Sequence, residues 1–330
     1  MYYSQIATSP EIYEIKTPVW NDSFLISCYA IHDSGQWLLI DMGMPQKRQR
    51  ELLRAALKEI GFDWSKAQVA LTHLHLDHGG MMTSLTPAGT KVFVGSRELA
   101  YVRTTRSLSY AQKLVKAFGA EGFSRSDSLR TVGYHWVFAT VKESRQCINL
   151  VKEGDIIAVG NLRFEVIDTA GHSAGHVSYF EQTHGLLFGG DHMLFYMLPS
   201  IAWLADGSDT VAAYLSNTSK LLSMPITRFF VAHGENKPEF RERLQETTNR
   251  HEMRLNEFVA AVESKPGQSG LDVVKQIVWL DEPKAYEDID TFTRCCILCE
   301  GLASLNHLVL TGRIRRVLEG KRGNRYYPAE

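Results

Sequence analysis

The chain has 330 residues, 44% of them hydrophobic and 22% charged, with a formal net charge of −1. That is enough for one large core, or one core and a small appended domain; the balanced charge excludes a globally basic nucleic-acid or membrane-surface binder and leaves only a local basic patch for such a partner. Met1 to Pro10 is polar and aromatic, so no signal peptide is expected, and no apolar run is long enough to span a bilayer.

In chain order, Phe24 to Ile31 and Trp37 to Ile40 are apolar runs around Asp33-Ser34-Gly35, a hairpin pattern. Pro45 to Ile60 predicts a helix opened by proline, with Leu52, Leu53, Ala56, Leu57 and Ile60 on one face. Val69 to Thr72 and Lys91 to Gly95 predict strands, and Arg97 to Phe118 is helix-prone. Residues 119 to 150 admit two readings, an insertion covering the site or a packed excursion. Ser, Arg and Gly punctuate Ser124 to Gly133, and the aromatic run Tyr134 to Phe138 follows. The theme then repeats. Leu162 to Asp168, Val177 to Phe180, Leu186 to Phe188 and Arg228 to Ala232 read as strands, and Asp209 to Leu222 and Pro238 to Val262 as helices. Two such sets are what an α/β sandwich of paired layers requires.

Lys265 to Gly270, with Pro266 and Gly267, is the linker candidate and divides the chain into 1–265 and 266–330. Leu271 to Leu280 and Ile289 to Leu310 predict helices; Arg313 to Val317 and Asn324 to Tyr327 predict two short strands around Gly320 and Gly323. Helices followed by a hairpin suggest a winged helix-turn-helix unit. Arg313, Arg315, Arg316, Lys321, Arg322 and Arg325 on that hairpin either grip phosphates or solvate a wing packed on the rest of the chain or on a second subunit. Glu319 and Glu330 dilute the patch, which favours the packed wing. Five cysteines, an odd number with Cys295, Cys296 and Cys299 together, predict reduced thiols in a cytoplasmic protein. Cys296-x-x-Cys299 is a single pair in a helical pattern and reads as buried thiols rather than a metal site.

The segment Thr72-His73-Leu74-His75-Leu76-Asp77-His78-Gly79-Gly80 carries four potential ligands in six positions. Alternate residues at the end of a strand share a face, so His73 and His75 converge. As the chain turns into a glycine-opened helix, Asp77 and His78 swing to the same place. Imidazole and carboxylate together suit Zn, Fe or Mn. Burying these groups for structure alone would be costly. Gly171-His172-Ser173-Ala174-Gly175-His176, Gly189-Gly190-Asp191-His192 and Ala232-His233-Gly234 each follow a predicted strand, where α/β enzymes place chemistry.

The set resembles the metallo-β-lactamase superfamily over roughly residues 20 to 236, with the H-x-H-x-D-H motif, later histidine, aspartate and final histidine in order. The resemblance implies an αββα sandwich. It implies that His73, His75 and His172 hold one divalent metal ion, that Asp77, His78 and His233 hold the other, and that Asp191 bridges them. Zinc is the favoured ion, with iron or manganese tolerated by the same donors. Asp41 matches a position that supports the site by holding a ligand imidazole through its free N–H. His176 and His192 are expected to support ligands rather than bind metal. His32, His135, His184, His251 and His307 are expected to stay outside the site. Two cations about 3.5–4 Å apart would share a hydroxide as nucleophile, with Asp77 or Asp191 holding or passing the proton.

Within that superfamily, His78 stands where many β-lactamases carry arginine, and Asp191 is present as in glyoxalase II-like thioesterases, lactonases and ribonucleases. Antibiotic hydrolysis is therefore not the expected task. Gly190 to Leu194 and Pro199 to Trp203, with the C-terminal unit, resemble the lactamase-β-2-like group, which appends a winged-helix domain. Leu194 stands in place of the tyrosine of a lactonase, and Tyr196 could serve instead. The expected activity is hydrolysis of a thioester or lactone in a small-molecule substrate, without a membrane partner. The alternative is phosphodiester cleavage in RNA; a third reading, a non-catalytic DNA-binding metal sensor, is opposed by the intact ligand set. A homodimer is a further expectation.

Overall fold

Along Glu11–Pro18, buried and partly exposed side chains alternate over the first four residues and buried ones prevail after them, as in a strand packed on a core. In the computed structural model, which describes residues 2–19, 22–138, 147–279 and 286–330, this strand, β2, pairs antiparallel with β1 (Tyr3–Thr8). Next come β3 (Leu25–Asp33) and β4 (Gln36–Ile40). They join through Ser34 and Gly35, both at positive φ (49° and 74°), as a two-residue hairpin turn demands. Helix α1 (Lys47–Glu59) crosses to β5 (Ala67–Ala70). Two short helices, α2 (Leu76–Gly79) and α3 (Met82–Leu85), lead to β6 (Lys91–Gly95). Then α4 (Ser96–Thr105), α5 (Leu108–Ala120) and α6 (Arg125–Phe138) precede β7 (Cys147–Val151). The strands form one sheet in chain order, antiparallel through β4 and parallel from β4 to β7.

The second sheet runs β12-β11-β10-β9-β8, from β8 (Ile156–Val159), β9 (Leu162–Asp168), β10 (Val177–Glu181), β11 (Leu186–Gly190) and β12 (Arg228–Val231). Helix α7 (Thr210–Ser223) crosses between β11 and β12, which are parallel. Long helix α8 (Phe240–Ser264) follows, then α9 (Gly270–Val274), α10 (Thr291–Leu310), β13 (Ile314–Leu318) and β14 (Asn324–Pro328).

Three apolar layers stack these elements. Between the sheets, Ile31, Leu38 and Ile40 meet Phe164, Tyr179, Phe188 and Phe230. On the outer face of the first sheet, Leu39, Val69 and Val92 meet Leu53 and Leu57 of α1. On the outer face of the second, Leu187, Phe229 and Val231 meet Leu221 of α7 and Leu244 of α8. The order is therefore helix, sheet, sheet, helix. A further core joins Phe118 of α5, Tyr214 of α7 and Phe258 of α8 to Leu302 and Leu305 of α10, Ile314 and Tyr326. Residues on both sides of position 265 thus bury one another.

The helix-prone stretch Arg97 to Phe118 is two helices. Ser107 stops the first and caps the second, its Oγ accepting the Tyr110 N–H at 3.2 Å. Of residues 119 to 150, Phe123 and Val132 enter the core shared with α10, so this part packs as α6. Residues 139–146, the side chains of Tyr134 to Phe138 with His135 among them, and Leu280 at the end of a predicted helix lie outside the described residues. The segment read as a linker is tied down: Gly267 and Gln268 pair with the backbone of Tyr326, and Ser269 caps α9 in a capping box. The hairpin β13–β14 packs on buried Glu121, which accepts from Asn324 Nδ2 (2.6 Å) and Tyr326 Oη (2.9 Å), with Arg316 at 3.9 Å. Arg313 donates to Asn256, Arg315 pairs with Glu330 and Arg322 with Glu319.

Candidate metal centre

Strand β5 ends at Ala70, two residues before Thr72, so His73 and His75 lie in an extended loop beyond it rather than on the strand. Leu74 between them is buried in the core against α1. Helix α2 opens at Leu76, ahead of the glycines, and its first turn presents Asp77 and His78. His172 sits in the β9–β10 connection, Asp191 just after β11 and His233 just after β12. Gly190 holds φ at +54°, and a Cβ there would meet His176 Nε2 at 2.6 Å and Thr72 Cβ at 2.8 Å. Only glycine fits this crossing of the two ligand loops.

The seven predicted ligands converge. His73, His75 and His172 form one group, His73, His78 and Asp191 a second, and Asp77, His78 and His233 a third; within each, the ligating atoms lie within 4.8 Å of one another. His75 Nδ1 is 2.8 Å from His73 Nε2 and 3.1 Å from His172 Nε2. Asp191 Oδ2 lies 3.4 Å from both His78 Nε2 and His172 Nε2, and Asp191 Oδ1 lies 3.6 Å from His233 Nε2. Asp191 therefore stands between the two histidine sets.

The outward nitrogens of four of these rings are committed. His172 Nδ1–H donates to the Ser200 carbonyl and His233 Nδ1–H to the Leu25 carbonyl, each at 2.8 Å. His78 Nδ1–H donates to Asp41 Oδ2 at 2.8 Å. The Thr72 hydroxyl donates to the same Asp41 oxygen at 2.8 Å, which leaves its lone pair to accept from His73 Nδ1–H at 3.1 Å. In the neutral rings these partners fix the tautomers so that the other nitrogen of each points inward with its lone pair. His78 Nε2 and Asp191 Oδ1 are buried and have no hydrogen-bond partner. Inward lone pairs, orphaned buried atoms and a mixed nitrogen and oxygen donor set fit divalent cations.

The carboxylates also favour a proton on the ring they crowd, one that a bound cation would displace. Burial alone would lower His78, but Asp191, Asp41 and Asp77 hold it well above the usual imidazole range. Burial alone would raise Asp77, but His78 and His233 hold it down to about 2. Burial and the His172 imidazole bring His75 down to about 3.

The supporting residues divide. His176 accepts the Asp191 N–H at its Nε2 (3.1 Å) and reaches Thr169 Oγ1 with Nδ1 (2.8 Å), so it fixes the backbone of Asp191. His192 points elsewhere: its ring reaches the Thr169 carbonyl (3.3 Å) and Thr218 Oγ1 (3.0 Å) and stacks on Tyr214. His32, His184 and His307 pair with Glu11, Glu181 and Asp209, and His251 is buried 3.7 Å from Glu300. One residue escaped the sequence reading. Glu98, buried at the start of α4, accepts from Leu74 N (3.0 Å) with one oxygen and from Ser173 Oγ and Gly175 N (2.8 Å each) with the other. It ties the two ligand loops together, and nothing in an ordinary helix-prone stretch marks it out.

The centre opens into a cavity of about 700 Å³. His75, Asp77, His172, Asp191 and His233 line one end, and residues of α8 and α10 line the other.

The sandwich and the histidine–aspartate cluster at its edge define a metal-dependent hydrolase. A model of the metallo-beta-lactamase superfamily matches residues 22–244, and the chain belongs to that superfamily. Over 199 residues it is 27% identical to acyl-coenzyme A thioesterase MBLAC2 of Gallus gallus, covering 59% of this chain and 66% of that protein. A 41-residue stretch, 12% of this chain and 16% of the relative, is 44% identical to a hydroxyacylglutathione hydrolase of Chelativorans sp. (strain BNC1). The chain thus spans less than two thirds of the length of either relative. Among solved structures, a beta-lactamase domain protein of Burkholderia ambifaria superimposes with TM-score 0.82 at 21% identity, over 99% of this chain and 94% of that one. A metallo-beta-lactamase family protein of Thermus thermophilus gives TM-score 0.77 at 20% identity, over 96% and 98%. The shared fold therefore runs through α10 and the final hairpin.

Proposed function

We propose that this chain hydrolyses a thioester or lactone of a small molecule at a centre of two divalent cations. His73, His75 and His172 would hold one and Asp77, His78 and His233 the other, with Asp191 between them. The observation that carries the reading is the convergence of all seven groups at one end of a cavity large enough for a metabolite. Bound divalent cations supply Lewis acidity, which lowers the pKa of a water and polarises the substrate carbonyl. Zinc is the ion we assign to these donors, with iron and manganese chemically acceptable.

The chain's own groups then orient and move protons. Asp77 is the most exposed of the cluster carboxylates (side chain 17%) and faces the cavity, so it holds or passes the proton. Tyr196 lines the same end, and burial with the charges of Asp191 and Asp77 keeps its phenol protonated, so it can donate to a substrate oxygen. Hydrolysis adds the water oxygen to the acyl carbon, breaks its bond to sulfur or alkoxide, and returns a proton to that leaving group. The two sequence relatives support an acyl substrate, since both names specify an acyl group.

We read residues 266–330 as a winged-helix-like unit that serves the cavity rather than nucleic acid; Arg313, Arg315, Arg316 and Arg322 pair within the chain. The five free cysteines fit a cytoplasmic setting. The test is to assay zinc-loaded protein against a thioester, a lactone and single-stranded RNA, with Asp77→Ala as control. Acyl hydrolysis abolished in the variant supports the reading; RNA cleavage abolished in the variant, without acyl hydrolysis, overturns it.

A further inference from the structure

The cavity is larger than the chemistry needs. From the metal-binding end it continues past Ile201 and Trp203 to a wall made by Met253 of α8, Trp279, and Phe292 and Cys296 of α10. Of the charged groups on that wall, Arg250 and Glu257 are exposed, with Arg250 3.7 Å from Glu246, while half-buried Arg254 and buried Glu300 are engaged with one another. Arg254 Nη1 is 2.5 Å from Glu300 Oε1 and its guanidinium lies 4.6 Å from the centre of the Trp279 ring. Glu300 also accepts the Ile201 backbone N–H. Burial pushes the Cys299 thiol up to about 12 and Cys296 higher still, so both are neutral and behave as small apolar groups. The polar ligand cluster occupies one end; the other is lined by aromatic, aliphatic and thiol groups, with Arg250 and Glu257 exposed beside them.

We propose that this far chamber is an acyl-binding site, built by α8 and α10 to take an extended apolar acyl chain whose carbonyl lies at the metal end. The inference rests on the acyl-hydrolase reading above and names its substrate class. A thioester has two sides. The thiol side of biological thioesters is polar and charged and is best left toward solvent, whereas an apolar chain gains from every methylene removed from water. A chamber whose buried charges are already neutralised within its own wall offers an anionic group little to bind and offers a hydrocarbon chain contact along its length.

The experiment compares acetyl, hexanoyl and decanoyl thioesters of one thiol with the zinc-loaded full chain. Specificity (kcat/KM) should rise about twofold or more per added methylene until the chamber is filled. Cys296→Trp, which fills the chamber, should lower the decanoyl-to-acetyl ratio of kcat/KM at least tenfold with zinc content unchanged. A second measurement does not depend on turnover or on that variant folding: decanoate, but not acetate, should protect Cys295, Cys296 and Cys299 from alkylation, read by mass spectrometry with exposed Cys147 as internal reference. Specificity independent of chain length, or a Cys296→Trp ratio equal to the parent's, overturns the acyl chamber while leaving the hydrolase reading in place. Thiol protection by decanoate with no hydrolysis of any thioester or lactone overturns the hydrolase reading and supports the chamber. Neither protection nor hydrolysis overturns both.

Discussion

Asp41 Oδ2 receives both the His78 Nδ1–H and the Thr72 hydroxyl, each at 2.8 Å, so one carboxylate oxygen orients two neighbours of the candidate metal centre. Asp41 does this from φ 58°, a left-handed conformation that few side chains other than Asn and Asp adopt readily. Asp41→Asn keeps that backbone and removes the charge. It should weaken binding of one of two divalent ions about 10- to 100-fold, measured by competition with a chromophoric chelator. An affinity equal to the parent's would dismiss the role given to Asp41.

Glu98 joins the His73–His78 loop to the His172 loop through three buried hydrogen bonds. Glu98→Gln places an amide donor against an N–H or O–H donor. It should cost about 2–4 kcal/mol of stability in chelator-treated protein, since a buried charged acceptor is replaced by a mismatched group. Urea unfolding of the metal-free form reads this directly, and a loss below about 0.5 kcal/mol would show the tie to be dispensable.

Tyr196→Phe tests the phenol at the metal end of the cavity. Losing one donor to the reacting oxygen should lower kcat about 10- to 100-fold, with zinc content equal to the parent's. A change confined to KM would place Tyr196 in substrate binding alone.

Glu121 lies under the C-terminal hairpin, and burial, only partly offset by Asn324, Tyr326 and Arg316, raises its carboxyl above the usual range. A raised folded-state pKa means that stability from this group is fully present below the unfolded value of about 4.3 and is lost as pH rises through the folded value. Glu121→Gln cannot ionise; its single oxygen keeps only one of the two acceptors that Asn324 and Tyr326 use on separate carboxylate oxygens, but its stability relative to the parent should rise between about pH 4 and pH 7. Denaturant midpoints of both proteins across that window check the sign; a relative loss toward neutral pH would contradict it.

The convergence of seven side chains could be read from the sequence because metal ligation would demand particular residue types at particular strand ends. Packing alone gives no reason to space His73, His75, Asp77, His78, His172, Asp191 and His233 in this way. The αββα layering was legible for the same kind of reason: apolar runs such as Leu162 to Asp168 and Leu186 to Phe188 have strand length and turn boundaries. What escaped depended on tertiary contacts. β1 carries no continuous apolar run, because its burial comes from pairing with β2. β8 alternates between exposed and buried at the sheet edge, too briefly to stand out. Glu98 looks like any polar residue of an amphipathic helix until the two loops it ties are seen beside it. The strand expected at Thr72 ends at Ala70 because the Thr72 N–H leaves the ladder for Asp41 Oδ1.

Cys295, Cys296 and Cys299 of α10 stand on the wall of the same cavity into which His75 and Asp191 open. On the proposed reading, reaction and selectivity would be carried by separate stretches of chain. Substitutions in α10 would then redraw what the cavity admits while the seven clustered side chains stay in place.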